Sequence, residues 1–190
     1  MPTKDLIRSR RTIRKFRQTP LSAEQLKAYI DAARVAPSAA NLQPLKYIAV
    51  QSGEKVEKLF PLVKWAGYLA PEYDPKPGEQ PVAYVVVCVD SRISKKNSEM
   101  DVGAAVENLL LAAWEDGVGG CWMASVERAG VRKLLQIEEH LTISCVVALG
   151  YSGESPKETP VDDSIKYYLD ETGTLCVPKR SMDEVLLDIL

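Results

Sequence analysis

The chain has 190 residues, a length that fits a single domain spanning residues 1–190. Its 24 lysines and arginines against 26 aspartates and glutamates leave a formal net charge of −2, so it lacks the broad positive field that draws proteins to nucleic acids. Hydrophobic residues make up 46% of the chain, which excludes disorder, and no apolar run approaches the roughly 20 residues that span a bilayer. Because the polar start has no signal-peptide pattern, we expect a cytoplasmic protein with no membrane or nucleic-acid partner.

The first strong helix signal follows Leu21. Ser22 is a typical N-cap, and Gln25 stands three residues later, where it completes a capping box. Leu21 and Leu26 have the spacing of a hydrophobic staple. Apolar residues then recur at helical spacing, so we predict a helix to about Val35.

Loops and two short elements follow this helix. Pro37 disfavours helical geometry in the residue before it, and small residues around it predict an extended loop over 36–41. Residues 47–50 read as a strand, and Ser52 is placed to cap a short helix that ends near Pro61. The stretch 65–81 is rich in proline and glycine, and an irregular loop of this length is often functional.

The second half of the chain alternates strands and helices. The apolar run 82–89 predicts a central strand. Ser98 and Asp101 resemble a helix start, followed by an apolar stripe that ends at Gly117. Two more strands are predicted at 120–124 and 142–150, with a helix at 131–135 between them. The pattern predicts an α+β or mixed α/β layer architecture.

The C-terminal region has two predicted features. Residues 165–169 and 174–177 flank a turn-like Asp-Glu-Thr-Gly and predict a small hairpin. The chain ends in the apolar run 185–190. Such a run is rarely left in solvent, so we expect it to pack on the protein's own core or on a partner subunit.

Cysteine and histidine are too scarce to suggest chemistry carried by the protein alone. The cysteines lie far apart with no Cys-x-x-Cys pair, so we expect buried thiols in a reducing compartment rather than a disulfide or zinc site: Cys88, Cys121, Cys145 and Cys176. His140 is the single histidine, and its polar surroundings favour a solvent-side loop over a catalytic base. An enzyme of this composition would take its reactive group from a cofactor.

One basic cluster stands out near the N-terminus of this acidic chain. Six cations fall within ten residues: Arg8, Arg10, Arg11, Arg14, Lys15 and Arg17. Guanidinium groups match phosphate oxygens bidentately, and glycine-rich phosphate loops are absent from the sequence. The charge alone favours the solvated basic face of an N-terminal helix over a phosphate site, and both interpretations stay open.

The order of the motifs resembles the nitroreductase family of FMN-dependent NAD(P)H oxidoreductases. The chain opens with Arg-Arg-Thr-Ile-Arg-Lys-Phe at 10–16, continues through the capped helix, and then reads Ala-Pro-Ser-Ala-Ala-Asn-Leu-Gln-Pro at 36–44. Leu45 follows, where the family commonly has tryptophan. Residues 101–114, 117–122 and 148–151 continue the resemblance over most of the chain.

The resemblance implies a site for each part of FMN. The phosphate and ribityl end would be held by Arg10, Arg11 and Thr12, completed by Lys179 and Arg180. Arg14 would reach the pyrimidine edge of the flavin ring, and Met123, Ala124 and Ser125 would lie beside the ring. The other subunit would contribute Pro37, Ser38, Ala39 and Asn41. No residue is implied as a general base or a metal ligand, since a fixed guanidinium that stabilises reduced flavin favours hydride acceptance.

The resemblance also implies a fold and an activity. The fold would be α+β, with a mostly antiparallel sheet flanked by helices, in an intertwined homodimer whose C-terminal tail docks on the partner. The reaction would move a hydride from NADH or NADPH to FMN and then reduce a small-molecule acceptor, such as a nitroaromatic or a quinone, by a ping-pong mechanism. Two alternatives stay open: other flavin chemistry, namely dehalogenation, flavin breakdown or dehydrogenation, and a non-catalytic anion-binding module.

Five aromatic residues need an interpretation. Trp65, Tyr68 and Tyr73 fall in the irregular stretch, where walling a substrate and anchoring the loop are equally supported. Trp114 and Trp122 fall in a predicted core helix and strand, so we interpret both as packing residues.

Overall fold

A four-stranded antiparallel sheet forms the centre of the computed structural model, which describes residues 1–51, 53–94 and 98–190. Its strands are β1 (Leu45–Val50), β2 (Ala83–Asp90), β3 (Val118–Met123) and β4 (Leu141–Tyr151), in the spatial order β1-β2-β4-β3. The two long apolar runs of the sequence are thus the two inner strands, β2 and β4. Each inner strand is covered on both faces, which explains why it lacks polar alternation.

Helices cover both faces of this sheet. On one face, α2 (Ala23–Arg34) and α4 (Glu99–Glu115) share a core with alternate strand residues such as Val85 and Val147. On the other face, α3 (Gly53–Leu59) and α5 (Arg128–Leu135) pack with Val86 and Val146. Two short helices lie near the chain ends, α1 (Thr3–Ser9) and α6 (Met182–Val185). The α+β prediction, with a mostly antiparallel sheet flanked by helices, is confirmed.

The predicted capping box of α2 is present. The Ser22 hydroxyl accepts a hydrogen bond from the Gln25 amide at 3.1 Å, and the Gln25 side chain accepts one from the Ser22 amide at 2.9 Å. Leu21 and Leu26 are both buried in the core beneath this helix. Local chemistry therefore fixes the start of α2, as the sequence indicated.

The start of α4 differs from the prediction. The helix does begin directly after Ser98, but the Ser98 side chain makes no capping hydrogen bond. The Asp101 carboxylate instead accepts hydrogen bonds from the Ser38 hydroxyl at 2.5 Å and the Ala39 amide at 3.1 Å. The Asp101 carboxylate is occupied by these hydrogen bonds to the loop after α2, so it does not cap its own helix.

The same contact corrects the loop that follows α2. We expected an extended segment, but residues Ala39–Asn41 form a 3-10 turn, and Ala40 and Gln43 have positive φ angles of 50° and 51°. Asp101 draws the loop onto the N-terminal end of α4, which favours a compact turn. Small and amide residues tolerate these backbone angles better than branched ones.

The remaining predictions for the first half of the chain hold. The strand predicted at 47–50 is β1, the short helix is α3, and a 3-10 turn containing Pro61 follows it. The predicted cap Ser52 lies outside the described residues. Residues 64–81 contain no helix or strand, as their composition indicated.

A second, smaller sheet is built from the C-terminal region. Its strands are β5 (Lys157–Pro160), β6 (Tyr168–Leu169) and β7 (Leu175–Lys179). The predicted hairpin is confirmed as the antiparallel pair β6 and β7, and β5 pairs with β7 in parallel. Asp170 fixes the turn, because its carboxylate accepts hydrogen bonds from the amides of Thr172 and Thr174. The Lys157 ammonium beside Asp170 lowers the pKa of that carboxyl below its ordinary range.

The chain ends in a short helix and an exposed apolar tail. After α6, Leu187 and Ile189 are 95% and 83% exposed, so the tail does not pack on the protein's own core. Within the described ranges, no helix combines the length and the apolar character needed to cross a membrane.

Candidate flavin cleft

The arginine segment runs alongside the edge strand β3. Thr12 forms a parallel bridge with Gly120, and the Ile13 amide donates to the Gly120 carbonyl at 3.0 Å. Gly119 permits this approach, because a Cβ atom there would lie 2.4 Å from Ile13 Cγ1. The close fit places Arg14 beside the last residues of β3.

A cleft of about 670 Å³ opens at this point. The end of β3 and the loop after it form one wall, and Arg14 and the irregular stretch contribute another. The lining includes Arg14, Cys121, Trp122, Met123, Ala124 and Ser125. Four of the predicted site residues thus meet in one cleft that lies within the size range of ligand pockets.

A basic hollow of about 270 Å³ adjoins the cleft. Its lining includes Arg8, Arg10, Arg11, Thr12 and Lys179. Arg14 and Tyr167 line both the hollow and the cleft, so the two spaces meet at these side chains. The combined space therefore has an apolar part and a strongly cationic end.

Two carboxylates balance part of this charge. Arg10 Nε lies 3.2 Å from Glu107 Oε1, and Arg11 Nη2 lies 3.1 Å from Glu158 Oε2. Arg10 contacts its carboxylate through Nε, which leaves its two terminal nitrogens for a ligand. Arg14 differs, because its guanidinium donates no hydrogen bond within the described part of the chain.

Glu154 fixes the backbone of this segment, although no motif singled it out. Its carboxylate accepts hydrogen bonds from the amides of Arg14 and Lys15 and from the hydroxyl of Tyr73. Burial, with the Glu154 carboxylate beside it, raises the pKa of Tyr73, so its proton stays in this contact. Because Tyr73 is buried, it anchors the loop rather than forming a wall for a substrate.

Tyr167 is a second residue that the sequence did not single out. It lies between β5 and β6, and its ring centroid is 4.9 Å from Arg14 Cζ. Its ring also lies 4.8 Å from the ring of Tyr68, whose amide donates to the Tyr167 hydroxyl at 3.2 Å. A contact between segments 99 residues apart has no local signature in the sequence.

The tryptophans divide between cleft and core. Trp114 packs against the core and donates from Nε1 to the Ser9 hydroxyl at 2.9 Å, as its packing role predicted. The prediction for Trp122 is wrong, because its side chain is 43% exposed and lines the cleft at the open edge of the sheet. Trp65 is buried against Phe60 and also lines the cleft.

The remaining predicted residues lie elsewhere in the chain. Pro37 and Ser38 line a separate hollow of about 170 Å³, and neither Ala39 nor Asn41 lines the cleft. Arg180 lines a neighbouring hollow rather than the one that holds Arg10 and Thr12. Lys179 lines both of those hollows.

The cysteines are free and buried, as predicted. Burial raises the pKa of Cys121, on the cleft wall, to about 11, so its thiol is protonated at neutral pH. His140 lies in the turn before β4, where its Nδ1 is 3.2 Å from a Glu138 carboxylate oxygen and away from the cleft.

Comparison with known proteins shows which family has the sequence that forms this cleft. The sequence model of the nitroreductase family matches residues 7–151, which include the arginine segment and the cleft strand β3. The chain belongs to the nitroreductase family. A family relative from Archaeoglobus fulgidus, named as an NADH dehydrogenase/NAD(P)H nitroreductase, is 33% identical over 165 residues, which cover 83% of this chain and 90% of the relative.

Two further matches are informative. The iodotyrosine deiodinase of Thermotoga neapolitana is 27% identical over 180 residues, covering 86% of this chain and 96% of that protein. The crystal structure of a nitroreductase from Desulfovibrio desulfuricans, solved in complex with FMN, aligns with a TM-score of 0.74 over 100% of this chain and 98% of that one. Its sequence identity of 21% supports the shared fold alone.

Proposed function

We propose that this protein is an FMN-dependent oxidoreductase that takes a hydride from NADH or NADPH and reduces a small-molecule acceptor by a ping-pong mechanism. The observation that carries the proposal is the junction at Arg14, where an aromatic-lined cleft meets an arginine hollow. A ligand with a planar ring at one end and a phosphate at the other matches both parts. FMN has this shape and, when bound, supplies a ring atom that accepts hydride and passes electrons on.

The cationic end would hold the phosphate. Arg10, Arg11, Thr12 and Lys179 line one hollow and together offer guanidinium, hydroxyl and ammonium donors. Arg10 can keep its contact with Glu107 through Nε while its terminal nitrogens face the ligand. Arg180 would not contact the phosphate directly, since it lines only the neighbouring hollow.

The cleft would hold the ring. Arg14 would donate hydrogen bonds to the pyrimidine edge, where a reduced flavin carries negative charge. Met123 ends β3 at the cleft wall, Ala124 and Ser125 follow it there, and all three would offer backbone amides to the ring. None of these groups needs to transfer a proton, which suits a site with no histidine on its lining.

A homodimer would complete the site. Ser38 and its neighbours lie away from the cleft of their own chain, so they can serve a flavin only in a second copy. The exposed tail at Leu187 and Ile189 is an apolar surface that docking on a partner would bury. Four free thiols suit a cytoplasmic setting. In this proposal residues 1–190 form a single FMN-binding domain.

Flavin absorbance tests the proposal. The purified protein is loaded with FMN, freed of excess ligand and treated with NADH or NADPH without oxygen. We expect bound flavin that loses its visible absorbance and regains it when a nitroaromatic or a quinone is added. A protein that retains no FMN would contradict the proposal, and bound flavin that neither nicotinamide bleaches would contradict the choice of reductant.

Reductive dehalogenation is a second candidate. It is favoured by the similarity to an iodotyrosine deiodinase and by Tyr167, which lines the cleft and packs against the ring of Tyr68. Comparing an iodinated phenol with a nitroaromatic as oxidant of the reduced protein separates the two activities. Release of iodide at the faster rate would favour dehalogenation.

A further inference from the structure

Arg14 is held by an aromatic ring rather than by a carboxylate. Arg10 and Arg11 each contact a glutamate, whereas the guanidinium of Arg14 donates no hydrogen bond within the described residues. Its side-chain partner there is the ring of Tyr167, with the centroid 4.9 Å from Cζ. At this distance a cation–π contact is attractive, and it leaves the hydrogen-bond donors at the edge of the guanidinium unused.

Tyr167 is itself fixed from behind. Its hydroxyl accepts a hydrogen bond from the Tyr68 amide at 3.2 Å, and the two tyrosine rings lie 4.8 Å apart. On the other side, the Glu154 carboxylate holds the backbone amide of Arg14. The guanidinium is therefore restrained through its backbone and its face, while its N–H donors remain available at the cleft.

We propose that Tyr167 is a positioning residue that holds Arg14 for the flavin and so raises the preference of the site for reduced over oxidised FMN. The inference rests on the proposed function and deepens it. A carboxylate in the place of Tyr167 would neutralise Arg14 and weaken its attraction for the negative charge of reduced flavin. A neutral ring orients the cation without occupying its guanidinium donors, which stay available for the ligand.

The effect depends on which redox state gains more from Arg14. Oxidised flavin presents a neutral pyrimidine edge, whereas reduced flavin carries negative charge near the same atoms. A guanidinium free to rotate must lose conformational entropy before it can form directed hydrogen bonds. Loss of the ring should therefore weaken binding of reduced FMN more than binding of oxidised FMN.

Three substitutions test the inference. Tyr167→Phe keeps the ring and removes only the hydroxyl, whereas Tyr167→Leu removes the aromatic face and keeps apolar bulk. Tyr168→Leu is the matched control, since Tyr168 is exposed on β6 and does not line the cleft. For each protein, we would measure the dissociation constant of oxidised FMN and the midpoint potential of the bound flavin.

We expect Tyr167→Phe and Tyr168→Leu to keep the wild-type potential. Tyr167→Leu should lose about tenfold in its preference for reduced FMN, which for a two-electron couple is a shift of about 30 mV to lower potential. Equal weakening of both redox states, with the potential unchanged, would show a merely structural role and overturn the inference. So would a Tyr167→Phe protein that shifts as far as Tyr167→Leu.

The two proposals fail differently. If the wild-type protein binds FMN and every variant has the same potential, the role of Tyr167 is wrong and the proposed function stands. If the wild-type protein binds FMN in neither redox state, the proposed function is wrong and the role of Tyr167 falls with it. Thermal unfolding of each apoprotein would show whether Tyr167→Leu is folded. If Tyr167→Leu is misfolded, Tyr167→Met replaces it in the test, and we expect the same shift of the midpoint potential.

Discussion

Arg14 differs from its neighbouring arginines in its surroundings rather than in its charge. Arg10 and Arg11 belong to the same segment, but each has a glutamate within 3.2 Å. Arg17, three residues further along, is exposed and lines neither the cleft nor the basic hollow. Four arginines that look equivalent in the sequence therefore have different surroundings in the structure.

Replacing Arg14 by alanine should weaken FMN binding. A hydrogen bond to a charged group contributes about 2 kcal/mol, which corresponds to roughly a thirtyfold rise in the dissociation constant. Arg17→Ala is the control, because it removes the same charge from the same segment outside the cleft. Fluorescence titration of FMN measures both variants, and equal effects would show that only long-range charge matters.

The two basic residues at the end of β7 should differ. Lys179 lines the hollow with Arg10 and Thr12, whereas Arg180 lines only the neighbouring one. We expect Lys179→Ala to raise the dissociation constant of FMN by about tenfold and Arg180→Ala to change it by less than about threefold. The same titration decides the order, and a larger effect of Arg180→Ala would move the phosphate to the outer hollow.

At the scale of elements, the packing of the N-terminal segment on β3 depends on the absence of a side chain at residue 119. Gly119 faces Ile13, which is 1% exposed and cannot move aside without disturbing the core. The segment also pairs with the strand through the Ile13 amide. Segment and strand therefore act as one structural unit beneath the cleft.

Gly119→Ala should destabilise this unit. The added Cβ would lie 2.4 Å from Ile13 Cγ1, and overpacking of this kind costs about 1–3 kcal/mol. Gly53→Ala is the control, since its added Cβ meets nothing within 4 Å. Urea unfolding measures both proteins, and a wild-type free energy of unfolding for Gly119→Ala would contradict the described packing.

The end of β2 should make stability sensitive to acid. The Arg92 guanidinium, 2.8 Å from the buried Asp90 carboxylate, holds the pKa of that carboxyl well below its usual range. Because the folded-state pKa lies below the unfolded value of about 3.9, the stabilisation is complete well above that pH and is lost progressively as the pH falls from there to the lower folded-state pKa.

Asp90→Asn should therefore lower the free energy of unfolding at pH 7 and flatten its decline between about pH 5 and pH 2. Asp31→Asn is the control, since the Asp31 pair with Arg34 lies exposed on α2. Chemical unfolding across this pH range provides the comparison. A variant that keeps the full acid dependence would show that other carboxyls cause it.

Local signals explain which elements could be predicted from the sequence. The start of α2 was predictable because its cap lies within four residues, and β2 and β4 because long apolar runs mark buried strands. Strand β5 was missed because its sequence, Lys-Glu-Thr-Pro, is polar and because its partner β7 is not the next strand in the chain but follows β6. The predicted helix start at Ser98 and Asp101 was misleading because the hydrogen-bond partners of Asp101 are 62 and 63 residues away and leave no local pattern.

The candidate site was predictable to a similar extent. The family resemblance indicated Arg14 and the end of β3, and the structure brings these together in one cleft. Glu154 and Tyr167 escaped notice because single polar or aromatic residues carry no spacing signal. Their contacts with Arg14 form only when the chain folds.

At the scale of the whole molecule, segments near both ends of the chain line one hollow. Residues 8–14 and Lys179 line the same hollow, although more than 160 residues separate them. The net charge of −2 conceals this local accumulation of cations. Electrostatic attraction of a phosphate should therefore be local and should weaken with ionic strength.

Removing the last five residues tests the role of the apolar tail. If Leu187 and Ile189 dock on a second copy, deletion of 186–190 should lower the dimer fraction and weaken FMN binding. Light scattering after size-exclusion chromatography measures the first effect. A full-length protein that is monomeric, or a truncated one that dimerises and binds FMN normally, would contradict the docking of the tail.

The bridge between Thr12 and Gly120 has a consequence for solubility. Strand β3 is the last in the order of its sheet, and a bare edge strand can pair with other chains and seed aggregates. The segment that supplies the arginines shields part of this edge. Substitutions that loosen it, including Gly119→Ala, should increase light scattering of the concentrated protein even where the sheet itself stays folded.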